Sequence, residues 1–242
     1  MPCFDKKLEA SRNEFFNEEK KTREVDTVLT TTEILEILSK KQIDFLSEDL
    51  KEGAKGEWNH FFSKREQNGN LTSGSSGGSG GYAEFIFKEA AKSLFGVQVE
   101  KVEWKQQRNV DLQEAVLEVE GKKVLSFALA YGFRNIQNIV RKIKSGTCSY
   151  HYVEVMACPS GCLNGGGMIK NYKTREEQRD HLKKIESSYN EANIEFPSQN
   201  ERVRLLYKEW IFGEPYSENA RKHLHTTYKA IQKSDTNISL KW

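Results

Sequence analysis

The sequence predicts an α/β fold, with a parallel or mixed sheet, flanking helices and a helical C-terminal tail. Two β-prone runs between 115 and 130 are separated by a Glu-Gly pair, which is typical of a hairpin. A segment with helical periodicity at 133–146 then leads into a third β-prone run at 150–157. Strand, helix and strand in that order predict a parallel crossover. Beyond residue 170 the sequence is polar and helical.

Composition narrows the class of protein. The net charge is only +2, so nucleic acid is not favoured as the main partner. No apolar run approaches the roughly 20 residues that a membrane span needs, and the charged N-terminus has neither a secretory h-region nor a transit composition. The 4 cysteines are therefore expected to be reduced thiols in a cytoplasmic protein.

The N-terminal region predicts a strand followed by a capped helix. Val25, Val28 and Leu29 form a short β-prone segment. Thr30 and Glu33 have the spacing of a capping box. The helix that follows has an apolar face made of four aliphatic side chains, Ile34, Leu35, Ile37 and Leu38. The polar segment 44–70 then offers three aromatic anchors, Trp58, Phe61 and Phe62.

A Gly/Ser-rich stretch at 69–81 allows two interpretations. It is either a flexible tether between folded parts or a loop that must come close to a ligand, where a Cβ would clash. An amphipathic helix follows from Tyr82 to Leu94 and ends at Gly96. Residues 97–104 are again β-prone.

The β-prone run at 150–157 is interpreted as a buried strand that ends directly before Cys158. Open α/β sheets bind ligands at the carboxyl ends of their strands, so this loop is a candidate site. Downstream, Thr174 and Glu177 form another capping box. Two short amphipathic helices flank the sequence FGEPY.

Cys158 and Cys162 are four positions apart across Pro159 and Gly161. A disulfide is disfavoured by compartment, and a redox pair normally has two intervening residues. His151 lies upstream on the same strand and gives no indication of a catalytic dyad. Soft metals or iron–sulfur clusters suit such thiols, although plain buried thiols remain an alternative. Cys3 and Cys148 are the other available sulfur ligands.

Three consecutive glycines, Gly165–Gly167, follow the cysteine pair. Glycines permit close backbone packing, and their amides can donate to sulfides or another anionic group. Coupled to the cysteine pair at a strand end, they strengthen the metal-site interpretation.

Five ordered segments resemble iron-only hydrogenases and their eukaryotic relatives across nearly the whole chain. EVMACPSGCLNGGG resembles the third cluster-binding motif, and MPCFDKKLE resembles the second, with Cys3, Lys6 and Glu9 in its positions. The other three are REVDTVLTTTEILEIL, SGGSGGYAEFIFKEAAKSLFG and the tail segment VRLLYKEWIFGEPYSENARKHLHTTY. Within the family, the N-terminal motif and Lys170 resemble the cytosolic iron–sulfur assembly factors of the NARFL type. Met168 departs from the glutamine usual at its position.

The resemblance implies a partial iron-only-hydrogenase-like fold that holds a 4Fe-4S cluster through Cys3, Cys158 and Cys162. The fourth family ligand lies in an upstream motif, T-S-C-C-P, which this sequence lacks. Met1 coincides with the motif methionine, which indicates a fragment. Cys148 matches no family ligand and is interpreted as a packed thiol. Lys6 would be either a positive charge beside the cluster or a salt-bridged surface lysine.

The resemblance also implies a division into an incomplete cluster-binding domain, 1–173, and a small-subunit-like helical tail, 174–242, packed on it. The predicted function is a component of cytosolic iron–sulfur protein assembly, without hydrogenase activity or catalytic residues, that bridges early scaffold and late targeting proteins. Trp242 is the candidate residue for docking on the targeting complex. A hydrogenase catalytic domain and a zinc-binding module that uses the same three cysteines are the alternatives. We also expect exposed apolar surface and low stability.

Overall fold

The computed structural model describes residues 3–44, 72–73 and 77–226. The aromatic anchors predicted at Trp58, Phe61 and Phe62, and the predicted docking residue Trp242, lie outside the described residues. The chain divides into two compact units, Met1–Gln199 and Asn200–Trp242. The sequence-based division after residue 173 follows family motifs rather than compactness, and it stays a prediction.

The first unit is built on a mixed sheet of four strands, β4 (Lys105–Gln106), β5 (Leu112–Val119), β6 (Lys122–Tyr131) and β7 (Tyr152–Met156). They lie side by side in the order β4-β5-β6-β7. Strands β4, β5 and β6 pair antiparallel, whereas β6 and β7 pair parallel. The predicted hairpin between β5 and β6 is confirmed. Glu120 and Gly121 both have positive φ, as the two central residues of a type I′ turn require.

Helices cover both faces of this sheet. Helix α4 (Phe133–Lys144) makes the crossover from β6 to β7, as predicted, and helix α3 (Tyr82–Phe95) packs on the other face. The rings of Phe87 on α3 and Phe127 on β6 meet edge to face, with centroids 5.1 Å apart. The main core also contains five smaller side chains, Ala91, Val102, Ala115, Leu117 and Leu125. Burial on both faces explains why β6 is apolar almost throughout.

Three strand assignments from sequence need correction. Residues 25–29 and 97–104 form no strand in the structure. Strand β7 exists, but its buried side chain is Glu154, which is 5% exposed, whereas Val155 is 48% exposed. Residues 97–104 pack on the main core without strand pairing, since Val102 is buried and Val97, Val99 and Trp104 contact the core cluster. The preference of β-branched residues for strands reflects such packing rather than a fixed backbone state.

The N-terminal part consists of short elements joined by side-chain contacts. It contains α1 (Phe4–Ala10), the hairpin β1 (Phe16–Asn17) and β2 (Thr22–Arg23), and α2 (Thr31–Lys40). The predicted capping box is confirmed, since the Thr30 amide donates to Glu33 Oε2 at 2.8 Å and the Glu33 amide points to Thr30 Oγ1 at 3.4 Å. Lys7 on α1 forms an ion pair with Glu33 at 2.9 Å, so the cap of α2 also links the two helices.

The predicted apolar face of α2 is exposed rather than packed in the described part of the chain. Leu35 is 50% exposed, and Ile34 and Ile37 are also exposed. Phe4 and Leu8 on α1 share this property. Exposed apolar surface was expected from the sequence, and low stability remains a prediction that depends on it.

The remaining elements are mostly helical. Helix α5 (Arg175–Asn190) begins at the predicted Thr174–Glu177 capping box, and β8 (Asn193–Ile194) pairs parallel with β3 (Thr72–Ser73). The second unit contains α6 (Glu201–Leu206), a π-helical turn (Tyr207–Ile211) and α7 (Glu218–Leu224). Among the residues that the structure describes, none of the helices has the length and apolar character required to traverse a bilayer.

Glu33→Gln is expected to flatten the acid limb of the stability profile. Hydrogen bonds from Thr30 and the Lys7 ammonium lower the pKa of Glu33 from 4.5 to about 2. A carboxylate with a lowered folded-state pKa stabilises the fold above its unfolded pKa, and this contribution is lost as the pH falls from about 4.5 to about 2. Glutamine still accepts the Thr30 amide, so the substitution isolates the charge.

Denaturant midpoints of both proteins between pH 7 and pH 2 measure this effect. The variant should be less stable than the parent at neutral pH, and the two should converge in acid. Glu36→Gln, on an exposed position of the same helix, is the matched control and should run parallel to the parent. A difference in stability between Glu33→Gln and the parent that stays constant at every pH would contradict the lowered pKa of Glu33.

Candidate metal centre at the end of the parallel strand

The loop that carries Cys158 and Cys162 emerges where β6 and β7 end. The Gly132 amide, at the start of α4, donates to the carbonyl of Met156 at 2.8 Å. A Cβ on Gly132 would lie 3.5 Å from Pro159, so the loop passes close to the crossover. The predicted position at the carboxyl end of a parallel strand is confirmed.

Cys3 and Cys158 meet although they are 155 positions apart. Their sulfur atoms are 4.0 Å apart, and Cys3 is 6% exposed at the N-cap of α1. The Phe4 amide donates to the Gly166 carbonyl at 3.0 Å and fixes the start of α1 against the glycine run. A Cβ on Gly165 would lie 2.8 Å from Cys3 Cβ, so this approach requires glycine.

Cys162 lies in a 3-10 turn (Cys162–Asn164) that ends the cysteine loop. Its amide donates to Ser79 Oγ at 3.2 Å, and its sulfur is 3.6 Å from Met156 Sδ. The Leu163 amide donates to the Gly78 carbonyl at 3.2 Å. Residues 77–81 are therefore held against the cysteine loop and are not a free tether. The predicted close approach to a ligand stays a prediction.

The glycine run also shapes the environment of the thiols. Burial raises the pKa of the Cys158 thiol, and a hydrogen bond from the Gly166 amide acts in the opposite direction, since it favours the thiolate. Gly167 has φ +89°, and its carbonyl accepts from the Thr32 amide at 3.1 Å and from the Thr32 hydroxyl. A Cβ there would lie 2.6 Å from the Cβ of Thr30.

Lys6 forms the salt bridge that was one of the two roles considered from the sequence, and the role beside a cluster stays a prediction. Its ammonium forms an ion pair with Glu9 at 2.8 Å. That hydrogen bond is the main reason why the pKa of Lys6 is raised, and the charges of Cys162 and Cys3 raise it further. Lys6 therefore places a positive charge near two of the three candidate ligands.

The donor chemistry fits an iron–sulfur cluster better than a single ion. In the described part of the chain, no group of three or more His, Cys, Asp or Glu side chains is arranged around one metal ion. Cys3, Cys158 and Cys162 therefore do not form the predicted zinc module there. Cysteine thiolates also hold iron–sulfur clusters, in which each ligand binds its own iron atom. All three thiols are free.

Residues outside the predicted set also shape the site. Ser79, Tyr131 and Glu154 were not singled out from the sequence, although a lone glutamate in the apolar run YVEVM was a usable signal. Met168 accepts a hydrogen bond from the Thr31 hydroxyl at 3.2 Å. The residue that departs from the expected glutamine therefore contacts the first turn of α2.

Comparison with known proteins agrees with this geometry. Residues 1–166 match the family model for the iron only hydrogenase large subunit, C-terminal domain, and residues 172–231 match that for the iron hydrogenase small subunit. The chain belongs to the iron-only hydrogenase family. An FeFe-hydrogenase of Chlamydomonas reinhardtii superposes with a TM-score of 0.67 at 23% identity, over 94% of this chain and 61% of that chain, so the two share the fold.

Within the family, several curated relatives at high identity are named as cytosolic iron–sulfur assembly proteins. The chain is 48% identical to the cytosolic Fe-S cluster assembly factor narfl of Xenopus tropicalis, over 100% of this chain and 49% of the relative. It is 46% identical to protein NAR1 of Arabidopsis thaliana, over 100% of this chain and 52% of the relative. The chain thus spans about half the length of the curated relatives it matches.

Gly167→Ala is expected to destabilise the first unit by about 2–4 kcal/mol, because a positive φ and a clash with Thr30 act together. Gly96→Ala is the matched control, since Gly96 also has positive φ (+67°) but open space around its missing Cβ. That variant should lose only about 1 kcal/mol. Denaturant unfolding of both variants gives the comparison, and equal losses would show that the contact with Thr30 is unimportant.

Proposed function

We propose that this chain is the cluster-binding part of a cytosolic iron–sulfur assembly factor. The single observation that carries the proposal is the meeting of Cys3 and Cys158 at 4.0 Å against a run of glycine amides. The motif residues of two distant segments thereby form one sulfur-lined site. The names of the relatives at 48–49% identity support the assembly role.

The group proposed for this site is a 4Fe-4S cluster held by Cys3, Cys158 and Cys162, with a fourth ligand from the upstream motif of the family. When bound, such a cluster supplies one-electron chemistry and labile inorganic sulfide. The chain's own residues have defined tasks. The Gly166 amide donates to the Cys158 sulfur, and Lys6 offsets negative charge near Cys162 and Cys3.

The proposed partners are cytosolic proteins of iron–sulfur assembly, with the chain acting between early scaffold proteins and the late targeting complex. The names of the relatives support partners in cytosolic iron–sulfur assembly, whereas the position between scaffold and targeting proteins rests on the family resemblance. The hydrogenase alternative rests on the shared fold, and fold alone does not determine function. We propose that the chain does not turn over hydrogen.

Serine substitution of each cysteine tests the ligand set. Cys3→Ser, Cys158→Ser and Cys162→Ser are each expected to lower the iron and acid-labile sulfide retained after anaerobic reconstitution, because an alkoxide is a poorer ligand for iron than a thiolate. The host protein is the chain joined to the part of the Xenopus tropicalis relative that it does not cover, so that the upstream ligand is present. Iron and sulfide are quantified after gel filtration.

Cys148→Ser is the matched control and should retain the iron and sulfide of the parent, because Cys148 belongs to no contact of the site. A parent that takes up no cluster would refute the proposal. Retention in one of the three serine variants would remove that cysteine from the ligand set.

Hydrogen evolution separates the assembly factor from the hydrogenase. With reduced methyl viologen and the cluster-loaded protein, we expect no hydrogen above a protein-free blank, measured by gas chromatography. A hydrogenase of the same family under identical conditions is the positive control. Hydrogen release that depends on Cys162 would favour the hydrogenase function instead.

A further inference from the structure

A buried carboxylate lies behind the cysteine loop. Glu154, on β7, is 5% exposed, and both of its oxygens are engaged. Oε2 accepts the Ala83 amide in the first turn of α3 at 2.8 Å. Oε1 accepts the phenol of Tyr131, at the end of β6, at 2.7 Å. The carboxylate therefore joins the start of α3 to the end of β6.

Ser79 lies between Tyr131 and Cys162. A Cβ on Gly161 would meet both Ser79 Oγ and Tyr131 Cε2, so the two side chains are neighbours. Ser79 is 5% exposed, and its Oγ accepts the Cys162 amide at 3.2 Å. Burial, and then the charge of Glu154, raise the pKa of Tyr131, so the phenol stays protonated and donates to Glu154.

The arrangement depends on a glycine next to the cysteine. Gly161 has φ +80°, and a Cβ there would overlap Ser79 Oγ and lie 3.4 Å from Tyr131 Cε2. Its missing side chain lets the Ser79 hydroxyl reach the Cys162 amide. Gly161 is therefore required for the contact between Ser79 and Cys162 as well as for the turn of the cysteine motif.

We propose that Ser79 and Tyr131 are positioning residues for Cys162. Ser79 holds the Cys162 backbone amide, and Tyr131, which is bonded to Glu154, keeps Ser79 in place. Together they fix the backbone from which the thiol projects. The inference rests on the proposed function only in giving Cys162 a cluster-binding role, since these contacts belong to the protein without a cluster.

The cluster-free chain labelled with [15N]cysteine provides the test, because its 4 cysteines give one amide signal each. Ser79→Ala removes the acceptor, so the Cys162 amide should shift upfield and exchange with solvent about five-fold faster. Tyr131→Phe should cause a smaller change in the same direction, because the phenol acts through Ser79. Ser79→Thr keeps the hydroxyl and should restore the parent signal.

The double variant distinguishes positioning from general loosening. If Tyr131 acts through Ser79, adding Tyr131→Phe to Ser79→Ala should change the Cys162 amide no further. The Cys148 amide is the internal control and should not respond. Tyr152→Phe, a change of the same kind at a core tyrosine that packs on Phe127, is the matched control and should leave the Cys162 amide unchanged.

An unchanged Cys162 amide in Tyr131→Phe, or additive effects in the double variant, would overturn the proposal. If Ser79→Ala does not fold, Tyr131→Phe and Ser79→Thr decide the question alone. The measurement requires no cluster, so its outcome is independent of the iron and sulfide assays and the two proposals can fail separately.

Discussion

The site depends on one close backbone contact, between the start of α1 and the glycine run that follows Cys162. The Phe4 amide bonds to Gly166 at 3.0 Å, and the Thr32 amide bonds to Gly167 at 3.1 Å. A side chain at Gly166 would clash with Phe4, and one at Gly167 would clash with Thr30, so the two segments could not approach this closely. Because the contact forms, the N-terminal helices and the loop after β7 act as one structure, and Cys3 reaches Cys158.

The mixed sheet provides the other half of the site. The parallel pairing of β6 and β7 brings their carboxyl ends to one edge, and α4 covers the face between them. The Gly/Ser-rich loop before α3 then reaches the same edge, where Ser79 binds the Cys162 amide. Glu154 lies behind this edge with both oxygens bonded, which makes its burial affordable in a low-dielectric interior.

The solved structures and the curated relatives give different kinds of information. A hydrogenase shares the architecture at 23% identity, which establishes the fold alone, whereas proteins named as assembly proteins share 48–49% of the residues. A shared scaffold does not by itself determine the chemistry at the cysteines. Met168, which stands where the sequence comparison expected glutamine, bonds to Thr31 and joins the glycine run to α2.

Local features were readable from the sequence because neighbouring residues determine them. The Glu120-Gly121 turn, both capping boxes, the crossover helix and the cysteines in their motifs all follow from short-range patterns. Tertiary structure alone decided which β-prone segments found a partner, that Glu154 rather than Val155 is buried, and that Ser79 and Tyr131 support Cys162. Those outcomes depend on contacts between residues far apart in the chain, where burial and hydrogen-bond satisfaction outweigh local preference.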